Sequence, residues 1–157
     1  MPTPAELIAA YAAAPKVLAD AVAGMTAEQL RARPIPGKWS ALEVVVHLAD
    51  FEPVYADRIR RAAALKKPLL MGADENDFAA NLAYHDRDVA EELAMIVAIR
   101  ATTARLLRAL PAEAWDRQAV HNERGLLTLA DLVKTAAGHV THHAGFIPEK
   151  RKALGLA

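Results

Sequence analysis

Three of the chain's six histidines fall within five residues, in Gly138-His139-Val140-Thr141-His142-His143-Ala144. The surrounding run reads as helix. Residues four apart on a helix share a face, so His139 and His143 stack one turn above the other. Two imidazoles at that spacing can bind one metal ion. His142 is turned by about 100° from His143 on the same wheel. One of the two must therefore stand outside the pair, and the four-residue spacing makes His142 the spectator. Two histidines rarely complete a metal site, and the best candidate for a third ligand is His47, in Val44-Val45-Val46-His47-Leu48-Ala49-Asp50. Both segments are apolar, so their histidines should face the interior, where an unpaired imidazole is costly and a metal would satisfy it. His85, in Ala83-Tyr84-His85-Asp86, sits among charges and reads as solvated. His121 lies beside Asn122 in a loop and reads as a surface group, with the border of a site mouth as the alternative.

Composition limits what such a site can be. With 157 residues the chain is long enough for one domain, spanning 1–157, with a real core. Lys plus Arg and Asp plus Glu number 19 each, so the formal net charge is zero and no electrostatic footprint for nucleic acid is visible. The absence of cysteine excludes disulfides, thiolate zinc sites and a cysteine nucleophile. Met1-Pro2-Thr3-Pro4-Ala5-Glu6 lacks a basic segment followed by an apolar one, so no secretory signal is visible. No apolar run approaches the roughly 18 residues of a membrane span. A cytoplasmic protein that binds neither nucleic acid nor membrane is expected.

The elements that must position the histidines all read as helical. Thr3 caps a first helix with Pro4 in its opening turn, and Leu7, Ile8, Tyr11, Val17, Leu18 and Val22 recur at helical spacing up to Gly24. Thr26 to Leu30 is a capped turn, and Arg33-Pro34-Ile35-Pro36-Gly37 is a connecting loop. Ser40 and Glu43 form a capping box at the start of a second helix. Trp39 stands ready as a hydrophobic staple against Val44. This helix runs to about Ala64, with a kink expected at Pro53. A third helix is expected from about Asp74 to Leu110, unbroken or with a break near its start, its regular face formed by Leu93, Ile96, Val97, Arg100, Ala104 and Leu107. Pro111 to Trp115 reads as one turn and Arg117 to Leu127 as a loop. Thr128 then caps the last long helix, which Pro148 ends or kinks. The fold class is all-α: a four-helix bundle with short extra helical turns in its connectors.

Trp39-Ser40 followed by His47-Leu48-Ala49-Asp50, then a late His139-Val140-Thr141-His142-His143, resembles the DinB-like (DinB/YfiT) metal-binding helical bundles. Pro36-Gly37-Lys38 before the tryptophan and the Gly125…Thr128-Leu129 approach to the last helix are similar as well. The resemblance spans almost the whole chain. It implies a divalent metal held by one histidine of the second helix and two, four apart, on the last. By position these are His47, His139 and His143. It also implies either transfer of a low-molecular-weight thiol to an electrophile or metal-dependent hydrolysis, with a small-molecule substrate in both cases.

Three neutral imidazoles leave a divalent ion its full charge and open positions for water or substrate. Zinc and nickel both suit imidazole ligands. Candidate acceptors for the imidazole N–H groups are Glu43 and Asp50, each within one turn of His47, and Thr135, one turn before His139, although a capping residue, a surface carboxylate and a helix hydroxyl are the first readings of the three. No motif such as His-Glu-x-x-His names a general base, so the catalytic residues stay open. The thiol-transferase reading comes first and the hydrolase second. A bundle whose metal is structural and whose surface binds a partner is the third. Alanine-rich helices such as Leu7 to Ala23 leave apolar positions around more of the wheel than one core stripe needs. Together with the resemblance this points to a two-fold homodimer.

Overall fold

The computed structural model describes residues 2–156. Four long helices carry the fold: α1 (Pro4–Val22), α3 (Ala41–Ala64), α5 (Val89–Arg108) and α6 (Leu129–Ala144). Short helices lie between and after them: α2 (Ala27–Arg31), α4 (Glu75–Asn81) and α7 (Ile147–Ala153). Both α1 and α3 pack against α5 and against α6. Consecutive long helices α1 and α3 therefore stand diagonally across the bundle, and the chain must cross its end through α2 and the Pro34–Gly37 loop. Among the described residues no helix is long and apolar enough to cross a membrane.

The helix starts follow from their caps. Thr3, Thr26, Ser40 and Thr128 each accept from the backbone N–H three residues on, while the side chain of Glu6, Gln29, Glu43 or Asp131 accepts from the cap's own N–H. Each reciprocal pair satisfies two donors that a helix start leaves free. α3 continues through Pro53 as a single element. Its buried residues cover most of its surface, because it faces two neighbouring long helices and is covered outside by α4 and the sheet.

The stretch from Asp74 to Leu110 is not one unbroken helix: it takes the alternative with a break near its start, between α4 and α5. Asp88 accepts from Ala90 N (2.8 Å) and Glu91 N (3.1 Å) and opens α5 afresh, as Asp74 opens α4 through Asn76 N (2.7 Å). Between them Ala83 takes a left-handed φ of 51°, and Tyr84 is buried at the turn. Nor is the chain purely helical. Leu69–Leu70 (β1), Gln118–His121 (β2) and Gly125–Thr128 (β3) form a small sheet in the order β1-β2-β3. β1 runs parallel to β2, with Leu69 opposite Val120, and β2 is antiparallel to β3, with His121 opposite Gly125. The segments expected as loops pair because Gly125, at φ 72°, makes the reversal with no steric penalty.

The centre of the bundle is polar. Arg100 on α5 is 1% exposed and donates from Nε to Glu52 of α3 at 2.7 Å. Its other nitrogens donate to the Tyr11 carbonyl of α1 (2.9 Å) and the Ala136 carbonyl of α6 (2.7 Å). One guanidinium thus ties all four long helices. Pro15 explains why the Tyr11 carbonyl is available: proline has no N–H with which to close the helical bond to the residue four before it. The Tyr11 hydroxyl donates to the second Glu52 oxygen, and the guanidinium lies over the Tyr11 ring, 4.3 Å from its centroid. Burial pushes the Glu52 carboxyl up, against the opposing pull of Arg100 and the Tyr11 hydroxyl.

Removing one member of this pair leaves a buried charge uncompensated. Arg100→Met is expected to cost about 3–5 kcal/mol in denaturant unfolding. The double variant Arg100→Met/Glu52→Leu is expected to recover most of that loss, since an apolar pair of similar volume carries no desolvation penalty.

Candidate metal centre

The apolar stripe of α3 places His47 inward between Val44 and Phe51, and His47 is fully buried. Val133, Ala136 and Val140 turn the facing surface of α6 inward, and the same face carries His139 and His143, both partly buried. One nitrogen from each of His47, His139 and His143 lies within 4.8 Å of the others. The Nε2 atoms of His47 and His139 are 3.1 Å apart. The three ring centroids are 4.5 to 4.9 Å apart. His142 is exposed and packs edge-on against Phe146, outside this cluster.

Aromatic side chains wall the cluster. The Trp39 ring is 5.1 Å and the Phe51 ring 4.7 Å from His47, while Tyr55 lies 5.0 Å from His139. Phe78 of α4 packs on Phe51 from outside at 5.2 Å. Trp39, read in the sequence as a staple for a helix start, thus also lies against His47.

Low-dielectric surroundings keep the imidazoles neutral. Burial, and then the neighbouring His143, lowers the His47 pKa to about 3. Burial followed by His47, His143 and Arg100 takes His139 to about 2, and burial with His142 takes His143 to about 4. All three therefore present lone pairs rather than charge near neutral pH, the form a metal ion requires.

Each candidate outer acceptor has a hydrogen-bond partner outside the cluster, while the buried Oδ2 of Asp50 has none among the described residues. Glu43 accepts from the Ser40 backbone N–H (2.7 Å) and from Arg33 Nε (2.9 Å). Burial would raise its carboxyl, but Arg33 and Ser40 hold it below the ordinary value. Asp50 accepts from Arg87 (2.7 Å), which also grips Glu92, so it fastens the α4–α5 connection to α3. Thr135 donates to the Asp131 carbonyl, one turn back in its own helix (2.9 Å). The buried Nδ1 of His47 has no hydrogen-bond partner. Among the other histidines, His85 is exposed as expected, 3.9 Å from Glu43. His121 is not a surface group: it is 4% exposed, and its Nδ1 accepts from Glu123 N. Pairing of β2 with both neighbours turns its side chain inward, which a reading of the segment as loop could not show.

A cavity of about 270 Å³ opens beside the cluster. Its wall includes His143, the apolar Trp39, Val44 and Phe146, and the charged Lys38, Glu75, Glu149 and Lys150. A small molecule held there would have apolar surface along one side and reach a histidine of the cluster.

Comparisons with known proteins agree with this arrangement. A protein of Oceanobacillus iheyensis is 28% identical over 140 residues, covering 88% of this chain and 81% of its own length. YfiT of Bacillus subtilis is 26% identical over 142 residues, covering 90% of this chain and 80% of its own. Both carry names that propose, without establishing, a metal-dependent hydrolase. The solved structure of Bacillus subtilis YfiT, described as an unusual four-helix bundle topology, superposes with a TM-score of 0.90 at 24% identity, over 98% of this chain and 89% of that one. The sequence profile of the DinB superfamily matches residues 10–147. With its crossed bundle and its three clustered histidines, this chain belongs to the DinB superfamily.

Proposed function

We propose that this protein is a metal-dependent hydrolase of small molecules, with one divalent transition-metal ion held by His47, His139 and His143. The observation that carries the reading is the gathering of three neutral imidazoles, donor atoms within 4.8 Å, at the wall of an open cavity. Imidazole nitrogens bound at about 2.0–2.1 Å in tetrahedral geometry lie roughly 3.3 Å from each other. The 3.1 Å between His47 and His139 Nε2 fits that spacing with little adjustment. Zinc and nickel are the ions that best suit such a donor set.

When bound, an ion on three neutral ligands keeps an open position, lowers the pKa of water and polarises a carbonyl. The residues of the chain supply the rest. Phe51 and Tyr55 exclude water from the cluster, and Trp39 and Phe146 line one side of the place a substrate would take. Glu75 and Glu149 add carboxylates to the cavity wall. In hydrolysis of an ester or amide the oxygen of water bonds to the acyl carbon, the C–O or C–N bond breaks, and the leaving atom takes a proton. The names of the relatives support hydrolysis over thiol transfer.

Elemental analysis of untagged protein is expected to give about one transition metal per chain, as for a single three-histidine site. His47→Ala or His139→Ala should abolish binding and His142→Ala should leave it largely intact. Loss of metal in His142→Ala with retention in His143→Ala would reverse the ligand assignment. Metal-loaded protein should hydrolyse members of an ester and amide panel. Turnover confined to thiols plus electrophiles would move the reading to a transferase.

The ion should not be needed for folding, because the bundle has an apolar core on both sides of its central ion pair. Chelator-treated protein is expected to keep its helical circular dichroism and a cooperative melt. Metal should add stability only by mass action, roughly 4 kcal/mol at a thousandfold excess over Kd. A metal-free chain that loses its helices would make the ion structural.

A further inference from the structure

Lys150 of α7 is 2% exposed, yet its charge is poorly compensated. An ammonium has three N–H donors. Here one donates to the Phe146 carbonyl, one turn back (3.1 Å), and the Glu149 carboxylate lies at 3.6 Å, beyond a good hydrogen bond. The Glu149 side chain is 51% exposed, so water screens much of what it offers. Burying a cation without good partners is expensive, and proteins pair such groups. Phe146, Glu149 and Lys150 all line the cavity that His143 borders. Lys38 lines it too, but it is exposed, so its charge is solvated and has no burial cost to offset.

We propose that Lys150 is the anion receptor of the cavity: it binds a carboxylate of the substrate while the bond to be cleaved lies at the histidine cluster. The apolar part of the substrate rests on Trp39, Val44 and Phe146 between the two ends. The substrate class is then a small ester or amide bearing a free carboxylate at a distance from the scissile carbonyl. At about 270 Å³ the cavity lies below the usual size of pockets for drug-sized ligands, which favours a compact molecule. The identity of the scissile bond rests on the hydrolase reading, whereas the anion site does not.

The test uses metal-loaded protein and calorimetric titration with the dicarboxylates succinate, glutarate and adipate against the monocarboxylate pentanoate. A monocarboxylate can satisfy only one end of the cavity, whereas a dicarboxylate of suitable length satisfies both. The best dicarboxylate is expected to bind about tenfold or more tightly than pentanoate, the effect of one hydrogen bond to a charged group. Lys150→Met should erase that advantage with metal content and pentanoate affinity unchanged, and Lys150→Arg should restore part of it. Equal binding of dicarboxylates and pentanoate by the unmodified protein would overturn the proposal without any variant. So would an advantage that survives in Lys150→Met with only its melting temperature lowered, since that is the signature of a lysine serving the α6–α7 junction alone. A dicarboxylate preference without hydrolysis of any ester or amide would sink the hydrolase reading and leave the anion site standing.

Discussion

Everything in this bundle is set around one buried guanidinium. An isolated charge in a protein interior is too costly to persist, so Arg100 must bring partners to itself. It does so from every direction: a carboxylate from α3, a carbonyl from α1 freed by Pro15, and a carbonyl from α6. Because these acceptors lie on different helices, no pair of helices can slide without breaking a charge-assisted bond. Buried ion pairs are weak contributors to net stability but can fix which arrangement a chain adopts. In a bundle whose α1 is rich in small, interchangeable alanines, that selection matters more than it would among bulky interlocking side chains.

The histidine cluster depends on the same constraint. Glu52 is five residues after His47 on α3, and Ala136 three before His139 on α6, so Arg100 fixes both helices within about one and a half turns of these histidines. Ligand geometry tolerates displacements of only a few tenths of an ångström, and helix packing alone leaves more freedom than that. The guanidinium also acts through space. Its positive charge joins burial and the neighbouring histidines in holding His139 neutral, so the group that orders the bundle also favours the ligand form of the imidazole.

The sequence shows the helices and the histidines because both are written in local spacing. Caps at Thr3, Ser40 and Thr128 are three-residue patterns, and His139 and His143 need only the helical repeat to face one way. His47 becomes partner to that pair through an apolar stripe that says which way it points. What the sequence hides is long-range. Arg100 stands in plain view on the apolar face of α5, and a charge among Ile96, Ala104 and Leu107 is a signal that it has a buried partner. Nothing nearby names Glu52, 48 residues away. The sheet is hidden for a similar reason. Strands of two and four residues carry too little alternation to recognise, and β1 exists only because β2 passes beside it. Glu43, Asp50 and Thr135 are at helical distances that suit an outer role, but spacing along one helix cannot show that Arg33 bonds to Glu43 and Arg87 to one oxygen of Asp50.

The two polar centres of the bundle differ in a way that separates scaffold from chemistry. At the first, each nitrogen of Arg100 has an acceptor and both Glu52 oxygens have donors, all of them within the bundle. At the second, the partners are fewer. His47 and His139 turn their Nε2 atoms toward each other at 3.1 Å, and the buried Nδ1 of His47 has no partner among the described residues. Leaving three neutral imidazoles converging beside an open cavity has a cost in desolvation, and a cation bound among them would offset it. The fixed centre makes this possible. Because Arg100 and Glu52 hold α3 and α6 in place without the ligands' help, the histidines need not bind one another to keep the bundle together.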